Sequence, residues 1–197
     1  MDRLIKGIIN TEQPQEHWGF LPVKDKVVLD LGCGINSEFT PTPWYFLQEQ
    51  GAKKVIGVDP DNNSYQWFKQ NFNVQNFISH LGMIDRIEHF ELFFGYYKPQ
   101  VIKIDVEGSE ILLNALKPEL LQGVEHIGIE YHNLSCKISC ERLFIDNGYK
   151  IDYYKFGHLD IDYQGVMHAY KPFEPVKLNK VETKYHTHFE NAEYNGM

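Results

Sequence analysis

Three carboxylates fall within six residues of one another, at Asp105, Glu107 and Glu110, directly after the run Val101-Ile102-Lys103-Ile104. The run is rich in β-branched residues and predicts a central strand, which places the carboxylates at its carboxyl end. Carboxylates this close repel one another unless a cation, a hydrogen-bond donor or a helix N-terminus compensates. The cluster is therefore a candidate functional site.

A second polar group follows the next apolar stretch, where Glu130 and His132 end the strand predicted from residue 126. An imidazole has an unperturbed pKa of about 6.5, which suits a general base near neutral pH. Glu107, Glu130 and His132 are the candidate catalytic residues, with His132 or Glu107 favoured as the base and a structural role for His132 left open. A divalent cation held by Asp105, Glu130 and His132 is the less favoured alternative, because their spacing matches no metal-binding pattern. The predicted site therefore contains no metal.

The element that must position these groups is the stretch Val27-Val28-Leu29-Asp30-Leu31-Gly32-Cys33-Gly34. Its first part predicts a strand buried on both faces. The Gly-x-Gly that follows predicts a turn in which backbone can approach a ligand closely. In an open parallel sheet, ligands bind beyond the carboxyl ends of the strands. Asp30, Gly32, Cys33 and Gly34 are therefore predicted to bind a cofactor.

Asp59 ends a second predicted strand, residues 54–59, and lies 25 residues after Gly34. In nucleotide-binding folds of this type, an acidic residue at about this distance accepts hydrogen bonds from the ribose hydroxyls. Asp59 and Pro60 are accordingly placed in the cofactor site. The alternative is that residues 59–61 form only a helix-capping turn.

Met83 follows a third predicted strand, residues 76–81, and lies between Gly82 and Ile84. A small residue beside apolar ones can form a slot for an adenine ring, with Asp85 as a carboxylate for its amino group. Met83 is therefore counted with the predicted cofactor site.

Strands alternate with helices along most of the chain. The pattern predicts a short helix near the N-terminus, a helix capped by Thr42, a helix with Trp67 and Phe68 inward, and a helix over 110–121 capped by Ser109. It also predicts helices over 86–97 and 136–146, and two final antiparallel strands over 149–156 and 165–170. The expected architecture is α/β, a Rossmann-like doubly wound sheet, mostly parallel, with an antiparallel C-terminal hairpin. Its expected parts are a lead-in over 1–26, a main domain over 27–171 and a tail over 172–197.

The amino-acid composition disfavours some classes of binding partner. The 197 residues include 19 Lys and Arg against 27 Asp and Glu, giving a net charge of −8. This charge disfavours nonspecific binding to nucleic acid or to an anionic membrane. No run approaches the roughly 18 apolar residues of a membrane-spanning helix. Three cysteines, an odd number, fit a reduced cytoplasm, with packing preferred over metal or redox chemistry for Cys136 and Cys140.

The order of elements, the Asp-Leu-Gly-Cys-Gly turn and the acidic end of the second strand resemble class I S-adenosylmethionine-dependent methyltransferases. Within them, residues 102–110, Ile-Lys-Ile-Asp-Val-Glu-Gly-Ser-Glu, are similar to the signature of FkbM-type methyltransferases. Residues 129–132 resemble the following strand of that family, and the resemblance covers about residues 25–171. The loop 35–43 departs from the family, because it is longer and more polar than the usual glycine-rich turn.

The resemblance implies S-adenosyl-L-methionine as cofactor and assigns roles to individual positions. Asp30, Gly32 and Gly34 would shape the site of its methionine end, and Asp59 would hold its ribose. Asp105 would face the amino group of the cofactor or the reacting centre, with Glu107 close to the substrate.

The implied activity is O-methylation of a small hydroxylated acceptor such as a sugar. Methylation of a protein or RNA nitrogen is the second alternative, although no Asn-Pro-Pro-Tyr-like run is present after the fourth strand of the domain. The third is a cofactor-binding or interaction protein without catalysis.

Overall fold

The computed structural model describes residues 5–9, 17–34, 40–72, 74–156 and 163–172. These residues include eight strands: β1 (Ile5–Ile9), β2 (Val27–Leu31), β3 (Lys54–Asp59), β4 (Phe77–Leu81), β5 (Val101–Ile104), β6 (His126–Tyr131), β7 (Lys150–Phe156) and β8 (Gly165–Tyr170). They form one sheet in the order β1-β7-β8-β6-β5-β2-β3-β4. The five strands β2 to β6 are parallel to one another, whereas β8 is antiparallel to both β6 and β7. The predicted doubly wound sheet with an antiparallel C-terminal hairpin is confirmed.

The helical elements are α1 (Thr42–Trp44), which continues as a π-helical turn (Tyr45–Glu49), α2 (Asn62–Asn71), α3 (Ile87–Tyr97), α4 (Leu134–Asp146) and two 3-10 helices (Ser109–Ala115 and Pro118–Leu121). The prediction of one continuous helix over 110–121 is wrong. Leu116 and Lys117 are extended between the two short helices. The residue before a proline is disfavoured in the helical conformation, and Pro118 therefore interrupts the helix at Lys117.

Two predicted helix caps are also wrong. Pro41 occupies the N-cap position of α1, and Thr42 is the first helical residue. Gly108, with a φ of 100°, precedes the first 3-10 helix where Ser109 was expected to cap it. Neither position makes a side-chain capping hydrogen bond.

The N-terminal apolar residues form β1, a strand parallel to β7, and not the predicted short helix. Pairing with an exposed sheet edge satisfies a whole row of backbone groups, which outweighs a weak helical spacing in so short a segment. Residues 17–23, later in the predicted lead-in, pack on one face of the sheet with Val28 and Val101. Residues 35–39 of the polar loop and 157–162 of the hairpin turn lie outside the described residues, as does the tail from 173. The tail contains His186 and His188, whose spacing offers a possible metal-binding pair in sequence but for which a frayed terminus is the favoured interpretation.

Alternate strand residues point to opposite faces of the sheet and build two cores. One face carries Leu29 and Ile102 and packs against α3 and α4. The other face carries Val28 and packs against Trp18 and Phe46. On α2, Phe68 is buried as predicted, but Trp67 is 38% exposed and does not point inward. Consecutive helical residues project about 100° apart, so the burial of Phe68 does not require the burial of Trp67.

Candidate active site

The glycine turn after β2 lies in direct contact with the end of β5. Gly32 has a φ of 76°, and a Cβ there would lie 1.7 Å from the carbonyl oxygen of Asp105. The Asp105 N–H donates to the carbonyl of Leu31 across 3.0 Å. Only glycine fits both this backbone conformation and this space. The polar ends of β2 and β5 therefore lie side by side.

Asp59 is hydrogen-bonded to the same turn. Its Oδ1 accepts from the Asp61 N–H at 2.8 Å, and its carboxylate also accepts from the Gly34 N–H. A Cβ on Gly34 would lie 3.0 Å from Asp59 Oδ2. Burial raises the pKa of Asp59, although these backbone donors oppose the shift. The structure therefore brings the first two predicted cofactor segments together.

A buried lysine joins the glycine turn to the carboxylates. Lys103 Nζ lies 3.2 Å from Asp30 Oδ1 and 3.6 Å from Asp105 Oδ2, and donates to the Gly32 carbonyl at 2.5 Å. It also lies 5.3 Å from the centroid of the Trp18 ring. Burial lowers the pKa of Lys103, but the two carboxylates outweigh burial and raise it overall. The lysine is therefore charged and fixes the ends of β2 and β5.

The imidazole of His132 lies among four carboxylates. Its Nδ1 is 3.2 Å from Glu110 Oε1. Its Nε2 is 3.4 Å from Glu107 Oε2, 3.6 Å from Glu130 Oε1 and 3.7 Å from Asp105 Oδ1. Burial lowers the pKa of His132, but the hydrogen bond to Glu110 and the surrounding charges raise it overall to about 9. Without a ligand the imidazole is therefore protonated at neutral pH.

Each carboxylate around His132 is positioned differently. Glu110 is fully buried, its Oε1 also accepts from the Val106 N–H at 3.0 Å, and its Oε2 has no hydrogen-bond partner among the described residues. Glu107 adopts a left-handed φ of 53°, and its side chain is 84% exposed. It is therefore the carboxylate that an incoming molecule reaches most readily.

Glu130 is held by two residues from distant parts of the chain. His17 Nε2 lies 3.1 Å from its Oε2, and the Gln164 amide donates to its Oε1 at 2.8 Å. Burial raises the pKa of Glu130, but the hydrogen bond from His17 and further donors lower it overall. The His17 ring also stacks on Trp18. The lead-in segment therefore contacts the polar cluster directly.

Sequence reasoning named the carboxylates and His132 but gave no role to Lys103, His17 or Gln164. The signal for Lys103 was present, because a single lysine in an otherwise apolar central strand must be paired when buried. No sequence signal marked His17 or Gln164, which reach Glu130 only through the folding of the lead-in and the final hairpin.

The remaining predicted cofactor residues lie around this edge with different exposure. Cys33 is buried, and its Sγ lies 2.7 Å from the position of a Cβ on Gly57, so it packs against β3. Pro60 is exposed, and Met83 is 60% exposed just beyond β4. Their contacts with a cofactor stay predictions.

Cys136 and Cys140 are buried behind the site. Cys136 Sγ donates to the Gly108 carbonyl at 3.6 Å, and Cys140 Sγ donates to that of Glu110 at 3.7 Å. Burial raises the pKa of both thiols. The expectation that they pack in the core is confirmed.

Solved structures share this fold. A Streptococcus pneumoniae protein, a proposed tRNA (m1A22) methyltransferase in complex with S-adenosyl-L-methionine, matches with a TM-score of 0.51 at 13% identity, covering 81% of this chain and 72% of that one. Fibrillarin of Aeropyrum pernix, also with natively bound S-adenosyl-L-methionine, gives 0.52 at 15% identity over 76% and 68%. Methanococcus jannaschii fibrillarin, a pre-rRNA processing protein, gives 0.53 at 16% identity over 78% and 70%. At such identities the likeness establishes the fold alone, which is the Rossmann-like α/β fold that these proteins share.

No protein-family model matches the sequence, and no curated protein matches it. Among the helices that the structure describes, none is both long and apolar enough to cross a membrane.

Proposed function

We propose that this protein is an S-adenosyl-L-methionine-dependent methyltransferase of the FkbM type that methylates a hydroxyl group of a small acceptor such as a sugar. The observation that carries the proposal is the position of His132 and its carboxylates. They lie at the carboxyl edge of the sheet, joined through Asp105 to the glycine turn after β2. This edge is where open α/β sheets bind their ligands.

The cofactor assignment rests on the fold and on the polar groups at the turn. Gly32 and Gly34 leave backbone free of side chains, which allows close approach of the methionine end of the cofactor. The Asp59 carboxylate can accept from both ribose hydroxyls. The cofactor carries a sulfonium and an ammonium group, and the nearby Asp105 carboxylate, 26% exposed, offers the complementary charge.

The chemistry requires an acceptor oxygen aligned with the sulfonium methyl group. The oxygen forms a bond to the methyl carbon as the carbon–sulfur bond breaks, and neutral S-adenosylhomocysteine leaves. The hydroxyl proton must pass to a base, because a neutral hydroxyl is a poor nucleophile. We assign this proton transfer to the Glu107–His132 pair. Glu107 is the exposed member of the pair, and His132, whose Nε2 lies 3.4 Å from Glu107 Oε2, positions it.

The acidic site and the net charge of −8 favour a small neutral acceptor over RNA, whose phosphates would be repelled. Three buried free cysteines fit a reduced, cytoplasmic setting.

The first test is calorimetric titration of the full chain with S-adenosyl-L-methionine, for the wild type, Asp59→Ala and the control Asp146→Ala. Asp146 is an exposed carboxylate at the end of α4, away from the turn. We expect binding by the wild type and the control and its loss in Asp59→Ala. Absence of binding by the wild type would overturn the proposal.

The second test follows radiolabel from the methyl group into sugars and other small hydroxylated compounds, and in parallel into RNA and protein. Label in a hydroxylated small molecule supports the proposal. Label confined to RNA or protein overturns the small-molecule acceptor class in favour of a macromolecular acceptor. Cofactor binding without transfer to any acceptor overturns catalysis in favour of a binding protein.

A further inference from the structure

One ligand atom each from Asp105, Glu107 and His132 lies within 4.8 Å of the other two. We propose that these three residues bind a divalent cation of the Mn²⁺ type. The proposal differs from the cation site considered from sequence spacing, because the exposed Glu107 takes the place of Glu130. Glu130 is already bound by His17 and Gln164.

The donor set selects the class of metal. Two carboxylate oxygens suit Mg²⁺ and Mn²⁺, whereas an imidazole nitrogen suits transition metals. Mn²⁺ accepts both kinds of ligand. Three protein ligands leave coordination positions for water or for the oxygens of a hydroxylated molecule.

Distances around His132 Nε2 fit ligands that share an ion. The oxygens of the two proposed carboxylate ligands, Glu107 and Asp105, lie 3.4 and 3.7 Å from this nitrogen. Direct charge-assisted hydrogen bonds are shorter, at about 2.7–2.9 Å. With metal–ligand bonds of about 2.1 Å, neighbouring ligands of an octahedral ion lie about 3 Å apart and opposite ones about 4 Å apart. The observed spacings fall within that range.

Glu110 supplies the support that a metal-binding histidine requires. It lies against Nδ1, which leaves Nε2 facing Asp105 and Glu107. A carboxylate that accepts from the other ring nitrogen is the usual partner of a metal-ligating histidine and fixes its orientation. Glu110 is fully buried, and its Oε2 lacks a hydrogen-bond partner among the described residues.

The net charge of the whole cluster also favours the binding of a cation. Five carboxylates surround one lysine and two imidazoles: Asp30, Asp105, Glu107, Glu110 and Glu130 against Lys103, His17 and His132. Even with both imidazoles charged, negative charges exceed positive ones by two. To ligate a metal, His132 must release its proton, which makes the excess three, and a divalent cation reduces it to one.

The role of the cation rests on the proposed function, whereas its binding does not. A divalent ion that binds the acceptor hydroxyl lowers the pKa of that hydroxyl and orients its oxygen toward the methyl group. With the cation bound, Glu107 and His132 act as its ligands, so the released proton passes to solvent and not to this pair. The bonds formed and broken in the methyl transfer are unchanged.

The test is titration of the metal-free full chain with Mn²⁺ at neutral pH. The electron paramagnetic resonance signal of the free ion reports how much Mn²⁺ remains unbound. Wild type is compared with Glu107→Gln, with Glu110→Gln and with the control Glu88→Gln, an exposed glutamate in the first turn of α3. Glu107→Gln changes an exposed side chain, so the fold should survive, which circular dichroism checks.

We expect one Mn²⁺ per chain in the wild type and in Glu88→Gln. Affinity should fall at least about tenfold in Glu107→Gln and about 10–100-fold in Glu110→Gln, the range for residues that support a metal ligand. A wild-type dissociation constant above about 1 mM, weaker than even low-affinity cation sites in proteins, would overturn the proposal. So would equal affinity of Glu107→Gln and Glu88→Gln.

Titration with S-adenosyl-L-methionine in the absence of metal separates the two proposals. Mn²⁺ binding by a protein that does not bind the cofactor supports the cation site and overturns the methyltransferase. Cofactor binding without Mn²⁺ binding overturns the cation site and supports the methyltransferase.

Discussion

The two ends of strand β6 place histidines in opposite environments. Beyond its carboxyl end, His132 lies among carboxylates, and its pKa is raised to about 9. Near its amino end, His126 Nδ1 lies 3.1 Å from His168 Nε2, and burial, followed by the charge of His126, lowers the pKa of His168 to about 4. One end therefore favours a cation, whereas the other favours neutral imidazole packed among aromatic rings such as Phe20.

Two lysines repeat the contrast. Lys103, 2% exposed, contacts carboxylates and backbone carbonyls at the carboxyl edge. Lys26 contacts Glu125 near the amino end of β6, where the two side chains are 23% and 42% exposed. The same kind of ion pair should therefore matter far more at the candidate site than at the opposite end, because burial removes the alternative of hydration.

The largest effect is expected from Lys103→Met. The change leaves Asp30, which is fully buried, without the cation that faces it. Removing one partner of a buried ion pair costs about 3–5 kcal/mol. The free energy of unfolding, measured with urea at pH 7.5, should fall by that amount, and cofactor binding should weaken because the turn loses the donor to Gly32.

The double variant Asp30→Leu/Lys103→Met provides the control. Replacing both charges with apolar groups of similar volume is often close to neutral, so the double variant should recover most of the lost stability. If the double variant is no more stable than Lys103→Met, the unpaired charge of Asp30 is not the source of the loss.

An intermediate effect is expected at the amino end from His168→Phe. A pKa lowered from 6.5 to about 4 stabilises the folded protein above pH 6.5, and this contribution is lost as the pH falls toward 4. Phenylalanine keeps a ring against Phe20 but cannot bind a proton. Between pH 7.5 and pH 4.5 the wild type should therefore lose about 2–3 kcal/mol more stability than the variant.

Urea unfolding of both proteins at several pH values measures this difference. The comparison at pH 7.5, where His168 is neutral in both states, gives the cost of the altered packing alone. Parallel loss of stability by the two proteins on acidification would show that His168 is not held neutral by the fold.

The arrangement of the strands could be predicted because the buried runs and glycine turns are local signals. Gly32 ends β2, and the polar residues after Ile104 mark the end of β5. Where the type or length of a predicted element was wrong, a non-local partner or a single proline decided the outcome. β1 exists because β7 offers an edge, and Pro118 divides a segment whose apolar spacing is helical.

The candidate site was predictable for a related reason. β5 and β6 are parallel neighbours, so Asp105 and His132, which follow them, must end at the same edge. The parts that were missed depend on chain segments with no motif. His17 and Gln164 reach Glu130 from the lead-in and the hairpin, and their positions follow from the tertiary packing of Trp18 and β8.

The smallest effect is expected from Lys26→Met, which makes the same substitution as Lys103→Met at the opposite end of the sheet. Lys26 donates to Glu125 Oε2, but Glu125 also accepts from the Gln100 amide at 3.2 Å, so the carboxylate keeps a partner and remains hydrated. Partly exposed ion pairs contribute about 0.2–1 kcal/mol, and the unfolding free energy should fall by no more than that. Salt should reduce this small difference, because exposed charges are screened. A loss comparable to that of Lys103→Met would mean that burial does not distinguish the two ends of the sheet.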